Sequence, residues 1–166
     1  MKGVFEEFDP PGLGNYVELA KAGFNDQARE IIIRIEQLLQ DTVLTVLKDE
    51  FSEDAQAWWF SGVPLGIRKK VTQKIEESDG KAGSREQNFD LIHYRDIILK
   101  QWSLFESMFA LGKSGNKEKR TGWMKDVNSM RNKVMHPSRR EFLSAGDVER
   151  LKELENEIRS NIDSKP

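Results

Sequence analysis

Imidazole chemistry in this chain has only two places to occur, His93 and His136, because the sequence holds 2 His and no Cys. Without cysteine there are no disulfides, thiolate zinc sites, iron–sulfur clusters or thiol nucleophiles. His93 follows Asp90 by three residues and precedes Asp96 by three. An Asp-x-x-His pair on a helix can bind metal, but this one supplies two or three ligands at most, and no second pair of matching spacing stands elsewhere. His93 therefore reads as a half-exposed helical histidine beside two solvated acids. No metal and no other cofactor is expected.

His136 closes the stretch Asn128-Ser129-Met130-Arg131-Asn132-Lys133-Val134-Met135-His136-Pro137. At about 100° per residue, Val127, Met130 and Val134 cluster on one side of a helix, the expected core face. Asn132 and His136 fall within about 40° of each other on a different side, and Arg131 flanks them at roughly 100° and 140°. Pro137 disfavours helical geometry at the residue before it, which places His136 at the helix terminus. Arg offers a planar fork for phosphate oxygens, and His titrates near neutrality. An Arg, an amide and a His grouped at a helix end thus form a set suited to handling phosphate. The same residues also fit an ordinary capped helix end with a solvated histidine. Lys133, Arg139 and Arg140, together with the basic loop 113–120, would guide a phosphate backbone or form plain solvated surface.

These side chains need elements to position them. From Asn25 as an N-cap, Ala28, Ile31, Ile32, Ile35, Leu38, Leu39, Val43, Val46 and Leu47 recur at steps of three and four, one face of a helix running to about Asp49. The β-branched cluster 42–46 also suits a strand locally, but the spacing continues through it. A short helix carries Trp58, Trp59 and Phe60, and Pro64 opens another. Residues 78–86 form a loop by composition. Asn88 or Asp90 caps a long helix bearing Leu91, Ile92, Ile97, Ile98, Trp102, Phe105, Met108 and Phe109 and ending at Gly112. The motif helix spans about 121–135. Ser144 and Asp147 make a near capping box for a last helix. The four tryptophans suit base stacking, but aromatics at helical spacing are usually core. The expected fold is an all-α antiparallel bundle of four to six helices. Residues 1–24 form a lead-in with a short helix ending at Gly23, and residues 25–166 form the bundle.

With 166 residues, the chain suits one domain, large enough to fold without staples. Its 26 basic and 28 acidic residues leave a net charge of −2, which argues against coating nucleic acid by bulk charge and leaves room for a local basic patch. No apolar run approaches the roughly 20 residues of a bilayer span. The first residues lack the apolar core of a signal peptide, so a cytoplasmic location without membrane contact is expected.

Arg131-Asn132-Lys133-Val134-Met135-His136 resembles the Arg-polar-x-x-x-His motif of the HEPN superfamily, all-α domains found in bacterial toxins, defence proteins and CRISPR-associated ribonucleases. Further features resemble a branch often attached to larger bacterial proteins. They are Trp58-Trp59, Gly62-Val63-Pro64, Ile67-Arg68-Lys69-Lys70-Val71, Asp96-Ile97-Ile98 ahead of Trp102, Phe105 and Phe109, then Trp123, and Leu143-Ser144 ahead of Asp147-Val148 and Leu151. The likeness runs from about Gln27 to Ile162, in family order. It implies a homodimer with facing motif helices whose Arg and His form one metal-independent endoribonuclease site. Arg131 would contact the scissile phosphate, His136 would transfer protons at the 2′ or 5′ oxygen, and Asn132 would orient either group. Lys133, Arg139 and Arg140 would touch RNA. Met135 stands where the family pattern has a small residue. Such a protein would be a toxin or defence effector, with an antitoxin or fused domains as partners. Other members of the superfamily are non-catalytic RNA-binding or assembly modules, which is the alternative reading. A plain helical scaffold is the third.

Overall fold

The structure, a computed structural model, describes residues 13–136 and 141–165. Among the described residues it is an all-α bundle without strands. Helix α1 (Leu13–Glu50) is the spine, 38 residues and therefore about 57 Å long. Its buried face is the one expected from spacing: Ala28, Ile31, Ile32, Ile35, Leu39, Val43 and Leu47 are all in the core. The β-branched segment 42–46 stays helical because Val43 and Leu44 are buried on that same face. Tertiary burial overrides its local strand preference.

The expected break before residue 25 does not occur. Helix α1 runs unbroken through Gly23 and Asn25, so the lead-in's short helix and the bundle's first helix are one element. The physical reason lies in Asn25. Instead of capping a helix end, its amide donates to the Glu141 carbonyl at 3.2 Å, and its oxygen accepts the Leu143 N–H at 2.8 Å. A side chain engaged across the fold leaves no competing local bond to interrupt the helix.

After α1, Trp58–Gly62 forms a π-helical turn that buries both tryptophans and leaves Phe60 outside. Pro64 then caps α2 (Leu65–Glu77), and Arg85–Gln87 makes a 3-10 turn. The single long helix expected over 90–112 is two, α3 (Leu91–Lys100) and α4 (Trp102–Phe109). The chain bends at Gln101 (φ −104°, ψ 44°). There the Gln101 amide donates to the Ser61 and Gly62 carbonyls at 3.4 and 3.3 Å, tying the bend to the π-helical turn. The bend lets α3 pack on α1 and on the motif helix, while α4 packs on the closing helix. Phe105, fully buried on α4, belongs to the core cluster that also holds residues of α1 and α7.

The basic loop contains a one-turn helix, α5 (Lys117–Arg120), capped by Asn116. Arg95, almost fully buried beneath it, donates to the Glu118 and Thr121 carbonyls at 3.0 and 3.3 Å. Helix α6 (Trp123–Met135) carries the motif, and α7 (Ala145–Asp163) closes the fold. Ser144 and Asp147 form the expected capping box, with bonds of 3.1 and 2.9 Å. Helix α7 is the main partner of α1. Arg34 of α1 makes a two-bond fork, 2.8 and 3.0 Å, onto the buried Glu155. That fork, with Arg159 behind it, holds the Glu155 carboxyl below the usual carboxylate range despite burial. Trp58, Trp59 and Trp123 are buried and Trp102 partly so, which makes them core.

Candidate phosphate-handling site

Helix α6 is fixed at both ends. At its start, the Trp123 indole N–H donates to the Phe109 carbonyl at 2.9 Å, anchoring the first turn to α4. Along its inner side Trp123, Met124, Val127 and Val134 are buried, and Met130 packs partly against the core. At its end, Arg29 of α1 donates to the Val134 carbonyl at 3.0 Å, satisfying one acceptor that a helix terminus leaves open.

His136 takes φ −121° and ψ 69°, out of the helix, as the following proline requires. Both His136 and Asn132 are exposed, as is Lys133. Met135 packs partly against the core. Arg139 and Arg140 lie outside the described residues.

Arg131 departs from the picture of an arginine curling toward His136. Its Nε donates to Glu36 of α1, and 37% of the side chain remains exposed. Among the described residues, neither terminal nitrogen of Arg131 has a partner, and no hydrogen bond joins Arg131, Asn132 and His136 to one another. The motif thus splits into an outward pair, Asn132 and His136, and an arginine braced against α1 with its terminal amines unengaged.

Spacing alone did not single out the bracing residues. Asn25, Arg29 and Glu36 fall within about 40° of one another on α1. Asn25 holds the segment that follows the motif, Arg29 holds the helix end, and Glu36 holds the motif arginine. The signal available was a polar stripe flanking an otherwise apolar helix face. Beside it, Ile33 is 50% exposed, an uncovered apolar side chain one turn from both Arg29 and Glu36.

No family model, curated protein or solved structure matches this chain. Any functional reading therefore stands on these side chains themselves.

His93, the other histidine, is only 6% exposed and not half-exposed as expected. Its Nδ1 accepts the Asp90 N–H at 3.0 Å, closing the first turn of α3. Among the described residues, no group of three or more His, Asp or Glu is placed to hold a metal ion. Burial pushes the His93 pKa below its ordinary value of 6.5. Asp90 and Asp96 act in the opposite direction, Lys70 and Lys74 in the same one. The accepted bond adds to the burial effect, because Nδ1 can accept only while unprotonated. A lowered folded pKa means that the unfolded chain binds more protons below about pH 6.5. Stability is then fully present above that pH and is lost as pH falls from there toward the folded pKa. Urea midpoints should drop between pH 7.5 and 5.5. His93→Gln, whose side-chain oxygen can still accept at this capping position, should drop less. Equal drops in both proteins would refute the assignment.

Proposed function

We propose that this chain is a HEPN-like domain that cleaves RNA without metal as a symmetric homodimer, acting as a toxin or defence effector. The observation that carries the reading is the placement of Asn132 and His136 in the open at the end of α6, beside an arginine held by Glu36 through Nε alone.

In this reading the 2′ oxygen of the RNA attacks the adjacent phosphorus while the bond to the 5′ oxygen breaks. One proton leaves the 2′ hydroxyl and another reaches the departing 5′ oxygen. One imidazole cannot stand at both ends of an in-line displacement, so a second copy supplies the second His136. The terminal nitrogens of Arg131 bear on the phosphoryl oxygens as charge builds. Asn132 orients the phosphate or the imidazole, and Lys133 with Arg139 and Arg140 holds the flanking backbone. The exposed Ile33 beside the motif suits the edge of such an interface. An antitoxin or fused domains would regulate the site.

The Glu36–Arg131 pair favours a second reading as well: an arginine already neutralised suits a non-catalytic module that binds RNA or assembles with a partner. Sedimentation at tens of micromolar and incubation with mixed RNA in excess EDTA separate the two. The first reading expects a dimer, burying roughly 1,000 Å² or more, and cleavage that EDTA leaves intact. A dimer without cleavage selects the module. A strict monomer removes the composite site.

A further inference from the structure

We propose that the open cavity at the start of α6 is a second phosphate subsite, which takes the backbone of the same single-stranded RNA upstream or downstream of the cleaved bond. The proposal rests on the RNA reading above. The cavity holds about 560 Å³ and is lined by Lys119, Arg120, Lys125 and Arg150 against a single acid, Asp126. In a chain of net charge −2, four cations and one acid around one opening are a strong local reversal of sign.

Three separate elements deliver these charges. Lys119 and Arg120 come from α5, Lys125 from α6 and Arg150 from α7. The one-turn helix is anchored at three points: Arg95 bonds it from below, Asn116 caps it, and the Arg120 carbonyl accepts the Leu111 N–H at 2.9 Å. The two arginines are loosely paired with acids, and Arg120 also donates to the Gly112 carbonyl at 3.1 Å. Arg120 stands 3.7 Å from Glu106, and Arg150 stands 3.9 Å from Glu153, long contacts between partly exposed groups. The Arg120 Nε is buried without a hydrogen-bond partner. An anion entering the cavity would meet two lysines, Lys119 and Lys125, that have no ion pair among the described residues, and two arginines in long ion pairs.

The motif helix links this cavity to the candidate site. Lys125, Ser129, Asn132 and His136 follow one another at steps of four, three and four, so they share a face, and all are exposed. From Lys125 to His136, the residue just past the helix, is eleven steps of about 1.5 Å, about 16 Å along the axis. The run is a polar track, cationic at the cavity and ending at the motif histidine. A strand seated with one phosphate at Arg131 would lay another, a few nucleotides along, among Lys119, Lys125 and Arg150. The wall combines the four cations with apolar surface from Leu111 and the edge of the buried Trp123, and Asp126 is its one acid, a lining on which a phosphate can pair with the cations while its sugar and base lie on the apolar part.

The test is fluorescence anisotropy with a labelled single-stranded 2′-O-methyl oligoribonucleotide, which cannot be cleaved through its 2′ oxygen. The variants are Lys125→Glu, Arg150→Glu and the milder Arg150→Gln, with Lys69→Glu on α2 as a control for net charge outside the cavity. Each reversal in the cavity should weaken binding by about tenfold or more at low salt and reduce the salt slope by about one. Lys69→Glu should change neither appreciably, and circular dichroism should show all four folded. An equal loss in Lys69→Glu would mean bulk charge and overturn the subsite. Wild-type binding with no loss in any cavity variant would overturn the subsite alone and leave the RNA reading standing. Failure of the wild type to bind would sink both.

Discussion

Phe105→Ala is expected to cost about 3–5 kcal/mol of unfolding free energy, as aromatic truncations in cores do. Phe105 is fully buried on α4, its ring centroid 6.0 Å from that of Phe109, in the same cluster as the core residues of α1 and α7. Removing the ring deletes both its transfer from water and its tilted contact with Phe109. The hole cannot close easily. Helix α4 is held at its start by the Gln101 bond to the π-helical turn, and at its end by the Trp123 indole on the Phe109 carbonyl. Urea denaturation followed by circular dichroism reads the effect. A loss below about 1 kcal/mol would mean that the site collapses or is exposed, and that the layer between α4 and α7 is not the core. Phe105→Leu should lose less, since it keeps most of the apolar volume.

The residues that behaved as their spacing implied are those whose fate is decided by one helix and its own apolar face. Ile32, Ile35, Leu39 and Val43 are inside because a helix with that pattern has no other way to bury them. Ser144 caps α7 because its partner lies three residues away. His136 leaves the helix because Pro137 is covalently next to it. Apart from His93, the departures turn on bonds between distant parts of the chain. Asn25 carries a strong N-cap signal, yet its acceptor and donor lie 116 and 118 residues away. The bend at Gln101 depends on carbonyls about 40 residues earlier, and no helical periodicity encodes them. His93 is polar and flanked by acids, which suggests exposure. It is buried because one ring nitrogen closes the turn that begins at Asp90. The motif itself was legible as three residue types on a helix end. The partner that fixes its arginine was not, since Glu36 precedes it by 95 residues.

On the proposed nuclease reading, His136→Ala should slow RNA cleavage by orders of magnitude and leave the fold untouched. The side chain is exposed and lies beyond the last helical residue, so the change in stability should stay within about 0.5 kcal/mol. Loss of general acid–base catalysis is typically worth about 10²–10⁴-fold, and in a symmetric dimer one substitution removes both imidazoles. Arg131→Ala should be at least as damaging to rate, because it removes the cation from the phosphate. Its stability cost should be small, about 0–1 kcal/mol, since the ion pair with Glu36 is partly solvated on both sides. Arg131→Lys should rescue poorly. An ammonium lacks the fork whose Nε bonds Glu36 while the terminal nitrogens remain for phosphate. Glu36→Gln distinguishes a brace from a competitor. If Glu36 positions the arginine, the variant should lose rate with little change in RNA affinity, since the amide keeps a weaker bond to Nε. If Glu36 instead blocks the site, neutralising it should tighten RNA binding and raise the rate. Single-turnover cleavage in EDTA and anisotropy with a 2′-O-methyl strand read the two outcomes separately. Cleavage that survives His136→Ala but vanishes in EDTA would remove the Arg–His site from the chemistry altogether.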